Sequence, residues 1–258
     1  MSQIRFLGSF SMGSGAAARC AGIGEAGREC AGFLFQNPNQ LFDRADLAER
    51  FWSSNSFVDA KAAISSMTSR VRAALRQMKN PDIHIKSDKW SLGVFYEDSK
   101  FVDTANLERI YSQVQKGIFD LGSLECCLGS LYRGKFLPGL QGHWAVIERE
   151  RLQSMFVRTA LMAIDHFIDQ RNYQTALDTC RYVLSHDPLR ETVHRRVMIL
   201  MAISGENARM RQHYANLEAF VITACDAQPD KRTRELFDDL CTQPSRPYLD
   251  QLVERELD

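Results

Sequence analysis

The sequence predicts a mainly helical chain whose few strands are confined to residues 1–97. Three observations carry that expectation. Apolar residues recur at steps of three and four between Glu25 and Met78, alternate between Ile83 and Val94, and return to helical spacing from Phe101 onward. Breaks fall at Asn37-Pro38-Asn39, Asn80-Pro81, Asp187-Pro188, Gly205 and Pro229, each a strong helix stop. With 45% hydrophobic and 25% charged residues, 258 positions suffice for a real core in one large domain or two small ones.

The chain opens with two β-like pieces, Ile4–Leu7 and Ser9–Met12, parted by Gly8. A Gly/Ala/Ser-rich stretch over 13–24 cannot be a long regular element. A helix follows over Glu25–Gln36. Asp43 is placed to cap a short helix through Trp52, with Leu47, Phe51 and Trp52 on one side. After the turn at Ser53-Ser54-Asn55-Ser56, Asp59 is placed to cap a longer helix to about Met78. In it Ile64, Met67 or Thr68, Val71, Leu75 and Met78 form one buried stripe. Ser65, Ser66, Ser69, Arg70, Arg72 and Arg76 take the other positions. Ile83 and Ile85 then pair with Trp90, Leu92 and Val94 in a hairpin across the polar turn Lys86-Ser87-Asp88-Lys89.

Formal net charge is zero, which hides an asymmetry. Residues 1–97 carry twelve basic and nine acidic side chains; residues 98–258 carry twenty and twenty-three. Within 61–89 stand Lys61, Arg70, Arg72, Arg76, Lys79, Lys86 and Lys89 against only Asp82 and Asp88. A local excess of that kind is the electrostatic footprint that a polyanion requires.

From Phe101 the chain is expected to be all helix. One helix starts at Asp103 and reaches about Gly117, a second covers about Gly122–Tyr132, and a long one runs from about Trp144 to Asp169. Shorter ones end at Asp187, span Glu191–Ile203, run from Ala208 to Ala227, and begin near Lys231. Paired helices with Asp-Pro after the second suggest tetratricopeptide-like stacking. Pro188 and Pro229 are 41 residues apart, so the repeats are lengthened relative to the usual repeat of about 34. Residues 241–258 read as a polar tail, in which Tyr248, Leu249, Leu252 and Val253 could make one amphipathic turn.

Between the second and third of these helices lies Leu131-Tyr132-Arg133-Gly134-Lys135-Phe136-Leu137-Pro138-Gly139, then Trp144 and Glu148-Arg149-Glu150-Arg151-Leu152. Physically it reads as a helix stop at Gly134, a Pro138-Gly139 turn, and Trp144 as anchor of the next helix. This stretch resembles the signature of the bacterial transcriptional activation domain in SARP-type regulators. Asp187-Pro188-Leu189-Arg190-Glu191 with His194-Arg195-Arg196 matches a second signature of that domain. The resemblance covers about residues 100–240.

The short strands, three helices and basic-tipped hairpin of roughly residues 3–96 resemble the OmpR-type winged helix-turn-helix, whose third helix enters the major groove. Carried over residue by residue, the resemblance places Lys61, Ser65, Ser66, Ser69, Arg70, Arg72 and Arg76 on the recognition helix, and Lys86 and Lys89 on the wing. Arg70 and Arg72 suit guanine edges or phosphates, and the serines let the helix approach closely. This chain departs from the family at Met67, where a histidine is common, and at Lys89-Trp90, where the wing often has Gly-Tyr. The family's sequence preference is therefore not carried over.

The implied domains are a winged helix at 1–97, a helical activation domain at 98–240 and a tail at 241–258. The implied function is a DNA-binding transcriptional regulator, an activator, that sits on promoter repeats as a dimer. RNA polymerase, through its σ and other subunits, is the implied partner. An alternative reading is an effector sensor or adaptor whose helical part binds a small molecule or protein, with weak DNA binding. No cofactor, metal or catalysis is expected. Gly22-Ile23-Gly24-Glu25-Ala26-Gly27 matches GxGxxG but lacks a preceding apolar strand and a following βαβ unit, so it reads as a turn. There is no phosphate-loop motif, no HExxH, and no ligand spacing around Cys126-Cys127. No receiver domain is expected ahead of the DNA-binding part. Seven cysteines without a Cys-x-x-Cys pair read as reduced thiols, and no apolar run approaches 18 residues. A cytoplasmic protein without export signal is expected.

Overall fold

The computed structural model describes residues 3–13, 22–53, 57–78, 82–120, 122, 124 and 127–242. It divides into two compact units, Met1–Phe156 and Val157–Asp258. Most of the Gly/Ala/Ser stretch, the centre of the turn at 54–56, Asn80-Pro81, Cys126, the Cys127 side chain and all but the first two residues of the tail lie outside the described residues.

The first unit begins with β1 (Gln3–Arg5) and β2 (Ser11–Gly13), antiparallel with Ile4 opposite Met12. Then come α1 (Glu25–Gln36), β3 (Phe42–Asp43), α2 (Arg44–Trp52) and α3 (Phe57–Met78). β4 (His84–Ser87) and β5 (Ser91–Phe95) complete a three-stranded antiparallel sheet in the order β3-β5-β4. This is a winged helix: three helices, small sheets and a terminal hairpin.

Local side-chain bonds set several of these ends. The Asp43 carboxylate accepts from Ala45 N–H at 2.6 Å and caps α2 as expected. α3 starts at Phe57, so Asp59 lies in its first turn rather than at the cap, where its charge still suits the positive end of the helix dipole. Asn39 adopts φ 63° after α1 and ties the loop to β5: its N–H reaches Val94 O, and its amide spans both backbone groups of Tyr96. Gly93 must be glycine, because a Cβ there would lie 2.0 Å from the Gln40 carbonyl oxygen.

The unit does not end with the wing. After a 3₁₀ turn at Ser99–Phe101, α4 (Asp103–Gln115) begins with a fully buried Asp103. Its carboxylate accepts from the N–H groups of Phe6, Leu7 and Thr104 at 2.8–2.9 Å. Burial pushes its pKa up to about 7, against the pull of these donors and of Arg5. Of the helix expected over 122–132, Gly122 and Leu124 are helical among the described residues and Cys127–Leu131 is wound as a π-helix. Beyond it the 135–137 backbone runs antiparallel to Phe6–Gly8: Gly8 N–H donates to Lys135 O, Leu137 N–H to Phe6 O, and Leu7 bridges Phe136. Gly134 at φ 149° and Leu137 at φ 39° shape this segment.

α5 (His143–Asp169) passes from one unit into the other. Its first half clamps the preceding turn, because the Arg149 guanidinium donates to the carbonyls of Phe136, Leu137 and Leu140. Trp144 meets Phe33, Phe51 and Phe136 edge-on, with centroids 5.4–6.4 Å apart. Gly32 on α1 makes room, since a Cβ there would press on Leu137 and Phe136. The Glu29 carboxylate of α1 accepts from Ala145 N–H at the start of α5, and burial raises its pKa.

The second unit is all helix: the rest of α5, then α6 (Tyr173–His186), α7 (Glu191–Ile203), α8 (Asn207–Cys225) and α9 (Lys231–Cys241). α7 packs against α6, α8 and α9 and is closed to solvent all the way from Val193 to Met201. Two arginines in that buried stretch are paired. Arg195 donates to Asp230 and Thr233, and Arg196 makes a bidentate pair with Asp165 at 2.7 and 3.0 Å. Glu191 accepts from Asp230 N–H, which holds the start of α9. α8 ends two residues before the expected Ala227, with Asp226 left-handed at φ 50°.

His194 and His213 face each other at 2.9 Å, and His194 Nε2 lies 2.9 Å from Pro188 O. Burial lowers both pKa values; for His213 the charges of His194 and Arg181 add to it, bringing it from 6.5 to about 4. Unfolded, this histidine takes up a proton near pH 6.5, whereas folded it resists until about pH 4.

The unfolded chain therefore holds more protons in that window, and stability falls as pH drops through it. His213→Gln should flatten the decline in denaturation midpoint by up to about one proton's worth of slope; an unchanged slope would remove the assignment. Asp103→Asn sets an amide N–H against backbone N–H groups. It should cost about 1–3 kcal/mol, read as a lowered melting temperature. An unshifted melt would mean the seam at Phe6–Leu7 is not needed.

Candidate nucleic-acid interface

α3 buries Ala60, Ile64, Met67, Thr68, Val71, Leu75 and Met78; Ala63, Arg72 and Ala74 are half-buried, and the other described positions from Lys61 to Gln77 are exposed. Thr68 sits in the stripe because its hydroxyl donates to Ile64 O at 2.7 Å. At about 100° per residue, Lys61, Arg72, Ser65, Arg76 and Ser69 follow one another around the open side. Ala62, Ala73, Ser66, Gln77 and Arg70 continue it, covering about half the circumference. Small side chains fill the centre of this face; Lys61 and Arg72 stand at one edge and Arg70 at the other, with Arg76 between Ser65 and Ser69. No acidic residue occurs from Lys61 to Met78.

The predicted residues are not equivalent. Ser66, Ser69, Arg70 and Arg76 are exposed. Ser65 is exposed but engaged, donating to Lys61 O and accepting from Arg44. Arg72 is half-buried and donates to Ile85 O at 3.3 Å, so part of it holds the wing against α3. Arg70 folds back over Gly22, where a Cβ would lie 2.6 Å from its guanidinium.

This last contact explains the glycine motif. Gly22 turns the chain at φ 90°, Gly24 is the N-cap of α1, and a Cβ on Gly27 would press on the Ile23 side chain at 2.9 Å. These residues and Arg70 border an open cleft of about 380 Å³. The motif is the turn into α1, as its lack of a leading strand suggests.

On the wing, β4 runs through Ser87, so the turn is Asp88–Trp90 and not the expected Lys86–Lys89. Asp88 makes it: its carboxylate accepts from the N–H groups of Trp90 and Ser91 and from the Ser91 hydroxyl, each at 2.7 Å. Those bonds hold its pKa below the usual carboxylate range. Lys86 lies 4.3 Å from the Phe95 ring centroid, and Lys89 lies 4.7 Å from that of Trp90. Trp90 is turned to water instead of continuing the apolar alternation of Leu92 and Val94.

Arg44 was not among the sequence-predicted residues. Its N–H donates to Trp90 O, and its guanidinium spans Ser87 on the wing and Ser65 on α3. Its side chain thus bonds both elements at once. A basic residue beside a helix N-cap carries no signal of such a role.

Residues 122–240 match the bacterial transcriptional activator domain family. The chain therefore carries a domain of this family over just under half of its length. Its fold agrees with that of Mycobacterium tuberculosis EmbR, solved in complex with a low-affinity phosphopeptide. The two align with a TM-score of 0.65 at 14% identity, over 97% of this chain and 68% of that one. No curated protein sequence matches this chain significantly. Its two signatures are both architectural: 131–152 forms the seam with the winged helix, and 187–196 is the buried lattice around α7. Among the described residues, no helix is long and apolar enough to cross a membrane, and no group of three His, Cys, Asp or Glu side chains is placed to hold a metal.

Removing Arg44 should free the wing. Arg44→Ala is expected to leave the helices intact, cost about 1 kcal/mol, and speed amide exchange at residues 87–91. Exchange rates equal to the parent's would show that the clamp is idle.

Proposed function

We propose that the protein binds double-stranded promoter DNA by laying α3 in the major groove while the wing follows the backbone. What supports this most is the face of α3 itself: small side chains over most of it, Arg70, Arg72 and Arg76 around and among them, and no acid. Ser65, Ser66 and Ser69 let the backbone of α3 come close to base edges. Arg70 and Arg76 reach bases or phosphates from either side, with Arg72 holding the wing and adding its charge. Lys61, Lys86 and Lys89 contribute affinity without sequence information. The helical part then recruits RNA polymerase, through its σ and other subunits, from promoter repeats occupied by two protomers.

Duplexes recovered by selection from a random library give the operator. On it, Arg70→Ala and Arg72→Ala should each weaken binding by about 1–3 kcal/mol in a gel-shift titration. Replacing Lys86 or Lys89 should weaken binding on every sequence alike and flatten the salt slope by about one. Full affinity in both arginine variants would remove the assigned face.

A further inference from the structure

We infer that Trp90 is itself a DNA contact, its indole packed on a deoxyribose of the backbone that the wing follows. The inference rests on the DNA-binding reading above and extends it to a residue of different chemistry. Trp90 is 66% exposed, more than any other large hydrophobic side chain described. A lone exposed apolar residue is common and means little by itself. This one is held out by its own backbone. Asp88 fixes its N–H, and the Arg44 N–H fixes its carbonyl at 2.8 Å. The same Arg44 reaches Ser65 on the open face of α3, so the tip of the wing is set in register with that face.

The local chemistry fits a nucleic acid. Indole Nε1–H is a donor with no acceptor, which suits an oxygen-rich backbone of acceptors only. Lys89 stands 4.7 Å from the ring centroid and brings positive charge to the same spot. The wing's acid, Asp88, has both oxygens turned into the hairpin by three hydrogen bonds, which reduces its repulsion of phosphates. An aromatic ring packed against a nucleotide tolerates any sequence, so Trp90 adds affinity more than specificity.

Tryptophan emission tests this directly in the full chain. Trp52 is buried and Trp144 half-buried, so the emission lost in Trp90→Phe reports the wing. Selected duplex should protect that emission from acrylamide. Trp90→Ala should lose about tenfold in affinity, and Trp90→Phe should keep most of it. Tight duplex binding with Trp90 as open to acrylamide as in the free protein would overturn the contact and leave the DNA reading standing. Protection by RNA polymerase but not by duplex would overturn it in favour of a protein partner. If no duplex is enriched from the library, the DNA reading itself fails, and the contact with it.

Discussion

Much of the first unit depends on how the strand edge at Phe6–Gly8 satisfies its backbone groups. β2 pairs only with Gln3–Arg5, so the next three residues need partners from elsewhere. Buried peptide groups left unpaired cost about 1–3 kcal/mol each. Asp103 accepts two of the N–H groups, and the 135–137 backbone takes Phe6 O and Gly8 N–H. Both partners come from the helical part of the chain. The winged helix thus completes its N-terminal edge with residues about a hundred positions downstream.

Apolar packing reinforces that polar seam. Phe6 lies 5.5 Å from Phe35 and 6.0 Å from Phe136, while Phe33 and Phe51 meet Trp144. Two separate charges hold the downstream turn in the shape this packing needs: Arg149 on its carbonyls and Glu29 on the start of α5. A stretch that looks like helix punctuation is therefore the mating surface for the winged helix. The change of composition near residue 98 and the division of packing at Phe156 are different things. The first marks where strands end, the second where shared core ends.

What the sequence made legible was local. α1 and α7 have the expected ends because Asn37-Pro38, Asp187-Pro188 and Gly205 act within a turn of the helix they stop. The open face of α3 follows from periodicity in the same way. The misplaced features are set by side-chain hydrogen bonds or by distant pairing. Asp88 moved the wing turn by closing it on Ser91, and β3 is two residues long, below any pattern. Arg44 and Asp103 were invisible as key residues because their partners, Ser87 with Ser65 and Phe6 with Leu7, are remote in sequence. In the second unit, Arg195 and Arg196 look like surface charges, yet both are buried and paired.

This arrangement constrains how the first unit can act. In a winged helix hung from a flexible linker, base contacts and any protein contact would be oriented independently. Here α3 packs on α1 and α2, α1 packs on the Phe136–Leu137 turn, and that turn is bonded to Arg149 of α5. Each step is a buried or hydrogen-bonded contact within one compact unit. A promoter lying along α3 would therefore fix the direction of α4 and of the first half of α5. Loss of the Asp103 seam would relax that direction without touching α3, so promoter output should be more sensitive to the seam than binding is.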